Sequence, residues 1–271
     1  MATVTLAVGL FATPVLAEEA RPSPPPPDGF DDTISTDRPG NANAASVVGV
    51  GRANIESSVA VAYDDIAEGP DAVLVTFPVS MRVGILAPFE LRFGGGLVGI
   101  DANAPDGETS AAPTDLFVGG KVQMSSAEGA RPSSAISFDV NLPTGEGAFT
   151  AGIPALDARA LVAWQLPAGF GLLLNAGVAT VPVDETRAAQ ALYSGFLSYA
   201  IPGLRERLGL FVEGFGRVGI RDGGDPQAHI FDWGAWWLFT PDAQIDFFIQ
   251  HGLNDDATDL QAAIGFSGRI R

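Results

Sequence analysis

The sequence predicts an all-β protein, an antiparallel up-and-down transmembrane β-barrel of about twelve strands. Three observations predict it. From Arg52 to the end, apolar and polar residues alternate over runs of roughly ten to fourteen residues, separated by Gly, Pro and Asp clusters. The connections between these runs alternate between long and short. The acidic residues gather on the long connections. No apolar run is long enough for a membrane-spanning helix.

Taken in chain order, residues 1–17 are uncharged, apolar and end in Val15-Leu16-Ala17, the pattern of a secretory signal peptide. The missing basic n-region points to a start inside a longer signal. Residues 18–33 contain Arg21-Pro-Ser-Pro-Pro-Pro-Pro-Asp28, a polyproline spacer that can join neither sheet nor helix. Residues 34–51 form a short N-terminal segment, and residues 52–271 form the barrel.

Within the barrel, Val73 to Ile85 is apolar at every odd position and carries Thr76, Ser80 and Arg82 at even ones. Ile136, Phe138, Val140 and Leu142 oppose Ser137, Asp139 and Asn141, and Ile245, Phe247 and Ile249 oppose Gln244, Asp246 and Gln250. The last run sets Leu260, Ala262, Ile264, Phe266 and Ile270 against Gln261, Ser267 and Arg269. Strand side chains alternate faces, so one face suits lipid and the other tolerates charge. The expected connections are 65–71 long, 87–88 short, 101–113 long, 126–132 moderate, 144–152 long, 167–168 short, 182–186 moderate, 202–204 short, 222–226 moderate, 241–242 short and 253–258 moderate.

A soluble sandwich also alternates, but its charge has no reason to be sided. Here the outer loops, long and moderate, with the strand ends beside them hold fifteen acids against Arg187 and Arg221 alone. The turns expected on the periplasmic side and the C-terminus hold Glu128, Glu206 and Asp242 against Arg131, Arg205, Arg207 and Arg271. Phe89, Trp164, Phe170, Tyr199, Trp237 and Phe239 fall beside the short turns, where an interfacial girdle of rings is expected. The expected location is the outer membrane of a Gram-negative bacterium, with acidic loops extracellular and both termini periplasmic.

Several short motifs carry a family resemblance: Ser35-Thr36-Asp37-Arg38-Pro39, Gly51-Arg52 with Glu56, Asn141-Leu-Pro-Thr-Gly145, Leu208 to Gly216, and His229 to Asp232. With these, the chain from about residue 34 onward resembles the outer-membrane barrel transporters named for the meta-pathway of phenol degradation. It departs from them at Gly214, often aromatic in the family, and in ending Ile270-Arg271 instead of an aromatic residue. The resemblance implies a transporter with a link to aromatic compounds.

Twelve strands lie between eight-stranded barrels filled by side chains and the larger porins. Any pore should be narrow or gated. The register directs Glu56, Arg82, Glu90, Arg92, Asp115, Lys121, Asp139, Asp157, Arg159, Glu213, Arg217, Asp232, Asp246 and Arg269 into the lumen. Their near balance suits charge pairing that supports the wall, or a selective constriction. Phe117, Phe196, Phe211, Phe215, Trp236 and Phe248 also point inward. These rings, interrupted by Arg217 and Glu213, suit a small aromatic acid or phenol. Alternatively they pack against a plug built on Thr36, Asp37, Arg38 and Pro39 in the periplasmic mouth. Pro78 marks a place for a bulge.

Composition narrows the function further. A net charge of −17 with one lysine excludes nucleic acid as partner. The absence of cysteine excludes disulfides and thiolate chemistry. Only His229 and His251 could activate a serine, and no serine motif accompanies them, so no enzyme is expected. No cofactor and no metal site is expected. The expected partners are outer-membrane lipid and lipopolysaccharide, the barrel-assembly machinery and a small-molecule solute. The expected function is passive passage of small, aromatic or apolar solutes; the alternative is a non-conducting structural or surface barrel with a closed lumen.

Overall fold

The computed structural model describes residues 32–65, 71–102, 109–183, 186–204, 207–220 and 227–271. The expected signal peptide and most of the proline spacer lie outside the described residues. The strands are β1 (Ala53–Asp64), β2 (Ala72–Leu86), β3 (Phe89–Asp101), β4 (Ser110–Ala112), β5 (Leu116–Ser125), β6 (Ser133–Leu142) and β7 (Ala155–Gln165). They continue as β8 (Phe170–Val183), β9 (Thr186–Ala200), β10 (Leu208–Gly219), β11 (Ala228–Thr240), β12 (Ala243–Gly252) and β13 (Leu260–Ile270).

Sequence neighbours pair antiparallel except β4 with β5, and β1 pairs with β13 from Ala53↔Ile270 to Tyr63↔Leu260, which closes the barrel. The thirteen segments make twelve staves, because β4 and β5 both pair with β3. The break between them falls at Pro113, which brings no amide hydrogen to the ladder. Register shifts on β2 against β3 between Thr76 and Pro78, where the sequence marks a bulge.

One connection differs from expectation. Only residues 184–185 separate β8 from β9, since pairing runs on through Pro182↔Arg187 and Val183↔Thr186. This stretch has valines and no glycine to release it from extended geometry. Charge therefore separates the two ends of the barrel better than loop length does.

Burial is inverted relative to a water-soluble protein. Ile264 is 64% exposed and Leu97 63%, whereas Lys121, Glu90 and Asp232 are each 0% exposed. Lysine, glutamate and aspartate are almost never fully buried in a soluble fold unless paired. The outer face instead presents an apolar band to lipid. Phe170 and Tyr199 sit 4.7 Å apart on it near one short turn, and the Arg207 guanidinium lies 5.5 Å from the Trp237 ring.

Candidate functional site: the plugged lumen

Residues 32–50 run into the barrel from the short-turn end. Ile34 donates its amide hydrogen to the Pro241 carbonyl at 2.7 Å, beside the β11–β12 turn. Arg269 pairs with Asp242 at 2.6 Å and with Asp32 at 3.0 Å, and Arg52 reaches Asp32 at 2.9 Å. Partial burial would raise both carboxyls; their arginines more than offset this and hold Asp32 and Asp242 below the usual 3.8.

Further in, the segment meets a buried ion-pair core. Lys121 Nζ lies 2.8 Å from Asp37, Arg92 3.3 Å and Arg82 3.4 Å, so one plug carboxylate faces three barrel cations. Arg82 also pairs with Glu90 at 2.8 Å and Glu56 at 3.2 Å, and Arg92 with Asp139 at 2.7 Å. Plug backbone completes the set: the Asp37 amide donates to Glu56 at 3.0 Å and the Val48 amide to Glu90 at 2.7 Å. Lys121 and Arg82 in turn donate to the carbonyls of Ala44 and Ser35. Burial acting on Asp37 is outweighed by these cations, which hold its carboxyl below the usual carboxylate range. Each buried ion would cost several kcal/mol alone, and the wall and the plug offset part of that cost for one another.

Across the lumen the plug is held differently. Asn41 donates its amide hydrogen to Glu213 at 2.8 Å, and Asn43 donates to Asn175 at 2.7 Å. Gly40 adopts φ +86°, and a Cβ there would lie 2.4 Å from the Glu213 carboxylate, so this close approach needs glycine. Arg38 crosses the bare backbone of Gly265 to reach Asp246 at 2.8 Å and Ser58 at 3.0 Å. Its guanidinium lies 5.8 Å from the Phe248 ring. Phe196 and Phe211 stack at 4.7 Å and, with Phe248 and Trp236, pack around Ala42 of the plug. Glu213 faces Asp232 across the β10–β11 pair; both are buried, and each keeps one carboxylate oxygen without a partner.

Toward the loop end the lumen opens into a cavity of about 550 Å³. Arg38, Gly40 and Asn41 of the plug line it, along with Phe215, Arg217 and Phe248 of the wall. Arg159 and Asp157 line it as a bidentate pair at 2.9 Å.

The structure thus brings Glu56, Arg82, Glu90, Arg92, Lys121 and Asp139 together around Asp37, and places Asp246 and Arg269 against Arg38 and Asp32. Asp157, Arg159 and Arg217 border the cavity, whereas Glu213 and Asp232 form a separate acid pair. Asp115 departs from the expected lumen set. It sits in the break between β4 and β5, where Gly145 and Ala151 donate amide hydrogens to it at 2.8 and 2.7 Å, clasping the 143–154 loop. The strand ends before the period-two register reaches it. Phe117 stays on the inner face beside Gly94, apart from the ring cluster. Sequence reasoning missed Asn175, Ala42 and Gly265. Small or uncharged residues on an inward register carry no signal until the segment that packs on them is placed.

A closed antiparallel barrel with an apolar outer belt and a charged, plugged interior defines a barrel of the outer-membrane type. The chain belongs to the family described as a putative MetA-pathway of phenol degradation, which matches residues 36–270. No curated protein matches it by sequence. Among solved structures it is similar to an outer-membrane channel from Pseudomonas putida F1, with TM-score 0.62, 12% identity, 86% of this chain and 99% of that one covered. It is also similar to the transport unit of the autotransporter AIDA-I from Escherichia coli, with TM-score 0.55, 10% identity and coverage of 80% and 90%. At these identities the likeness is one of fold.

Proposed function

We propose that the chain is an outer-membrane channel for passive passage of small, aromatic or apolar solutes, closed at its short-turn half by residues 32–50. The supporting observation is how the plug is held. Its central anchor is Asp37 on Lys121, Arg82 and Arg92, and its apolar contacts are small, chiefly Ile34, Ala42, Ala45 and Val48. A plug fixed by polar contacts can exchange them for water when it moves, whereas a large apolar core could not. The cavity beyond it gives a solute room to lodge, and its open side carries the acidic loops, which we place outside the cell with both termini in the periplasm. Lipid and lipopolysaccharide surround the barrel in this reading, and the assembly machinery inserts it.

A second reading, a non-conducting barrel with a structural or surface role, is favoured by the complete burial of Lys121, Arg82 and Glu90. Planar-bilayer recordings of the full chain and of a chain lacking residues 18–50 separate the two. Larger, longer current steps after deletion support the channel. Silence from both, with the deleted barrel still folded, supports the closed barrel.

A further inference from the structure

The lumen cations differ in one respect. Arg38 is matched by Asp246, Arg159 by Asp157, Arg92 by Asp139 and Asp37, and Arg82 by Glu90 and Glu56. Arg217, on the inner face of β10, lines the cavity, and among the described residues no carboxylate pairs with it. Glu213, four residues earlier on the same face, is committed to the plug through Asn41 and is buried, so it is not available to neutralise Arg217. The cavity therefore holds one guanidinium without a carboxylate partner among the described residues, and the mostly covered rings of Phe215 and Phe248 also line it. Guanidinium presents a planar fork of donors that matches a carboxylate, and the rings offer faces to a flat apolar body. About 550 Å³ accommodates a one-ring molecule with water to spare.

We infer that the loop-side cavity is a binding site for a small organic monoanion, a monocarboxylate with an aromatic or compact apolar body, with Arg217 as its counter-charge and Phe215 and Phe248 as its apolar contacts. The inference rests on the channel reading only in taking the cavity as a place where solutes lodge, and it adds the sign of their charge. An uncharged phenol would leave Arg217 without a partner, and an organic cation would be repelled by it. The acidic loops oppose an approaching anion at long range, and salt screens that opposition while leaving contact pairing in the cavity largely intact.

The test is equilibrium binding to the detergent-purified full chain, which needs no conduction. Benzoate and its uncharged counterpart benzamide are titrated calorimetrically at 0.15 M salt. Benzoate is expected to bind about tenfold or more tightly than benzamide, the scale of one charge-assisted pair. R217Q brings the ratio to about one, R217K keeps a preference for benzoate, and both variants retain the parent thermal midpoint. Equal binding of the two probes, no binding of either, or a benzoate preference that survives R217Q overturns the inference. A chain that binds benzoate selectively yet passes no current leaves this site standing and removes the channel; current without selective binding does the reverse.

Discussion

In the short-turn half of the lumen, Lys121, Arg82 and Glu90 are wholly buried and locked to one another and to Asp37 of the N-terminal segment. In the loop half, Arg217 borders an open cavity, and among the described residues no carboxylate pairs with it. The same strands build both halves, with the same apolar belt outside. The difference lies in what occupies the middle: where residues 32–50 supply a carboxylate, carbonyls and amides, wall charges are buried in ion pairs, and beyond Gly40, where the segment turns back, they border an open cavity. Occupancy of this barrel is thus set by nineteen residues that belong to no strand.

The largest test of that contrast is Asp37→Ala. Removing the carboxylate leaves Lys121, Arg82 and Arg92 short of negative charge, and a destabilisation of about 3–5 kcal/mol is expected for breaking one side of a buried pair. Thermal unfolding in detergent and protease sensitivity at residues 32–50 read it. Gly265→Val attacks the opposite wall. A Cβ at this position would lie 2.3 Å from the Arg38 guanidinium, so the side chain must leave Asp246, with an expected loss of about 1–3 kcal/mol.

Asp232→Asn works in the other direction. It removes like charge facing Glu213 across the strand pair, and a gain of up to about 1 kcal/mol is expected in the same melting assay. Arg217→Gln, in the hydrated half, should change stability by no more than about 0.5 kcal/mol. The contrast would be broken if Asp37→Ala and Arg217→Gln shifted the melting midpoint equally.

Acid sharpens the comparison at the mouth. Asp242 and Asp32 have folded-state pKa values held below 3.8, so their contribution is present above that value and is lost as pH falls through the lower folded value. Tethering of Ile34 to the β11–β12 turn should therefore loosen only in strong acid, and Asp242→Asn should loosen it at neutral pH. Hydrogen exchange at the Ile34 amide, which donates to Pro241, reports this.

Much of this architecture is legible in the sequence, because alternation at period two and the sidedness of acids follow directly from a lipid-facing wall. The inward positions of Glu56, Arg82, Lys121 and Glu213 can be read the same way. What cannot be read is which of these inward charges meet. Asp37 lies 84 residues from Lys121 and 45 from Arg82, and its place depends on the path of a segment that has no periodicity. The rings were legible as inward but not as a cluster around Ala42, since an alanine outside any strand gives no packing signal. Asp115 shows the opposite failure. Parity placed it in the lumen, and the Pro113 break turned it to the loop.

The chain has no cysteine, so a single engineered pair can fix the plug without competing thiols. The Asn43 backbone amide of the plug donates to the Asn175 side chain of the wall at 2.7 Å, and N43C/N175C places two thiols at that contact for closure by oxidation. Single-channel current of this variant, recorded oxidised and then reduced, addresses the central claim most directly. The account predicts current steps that disappear on oxidation and return on reduction. Steps of equal size and frequency in both states would show that solutes and ions pass without moving the N-terminal segment, and would contradict it.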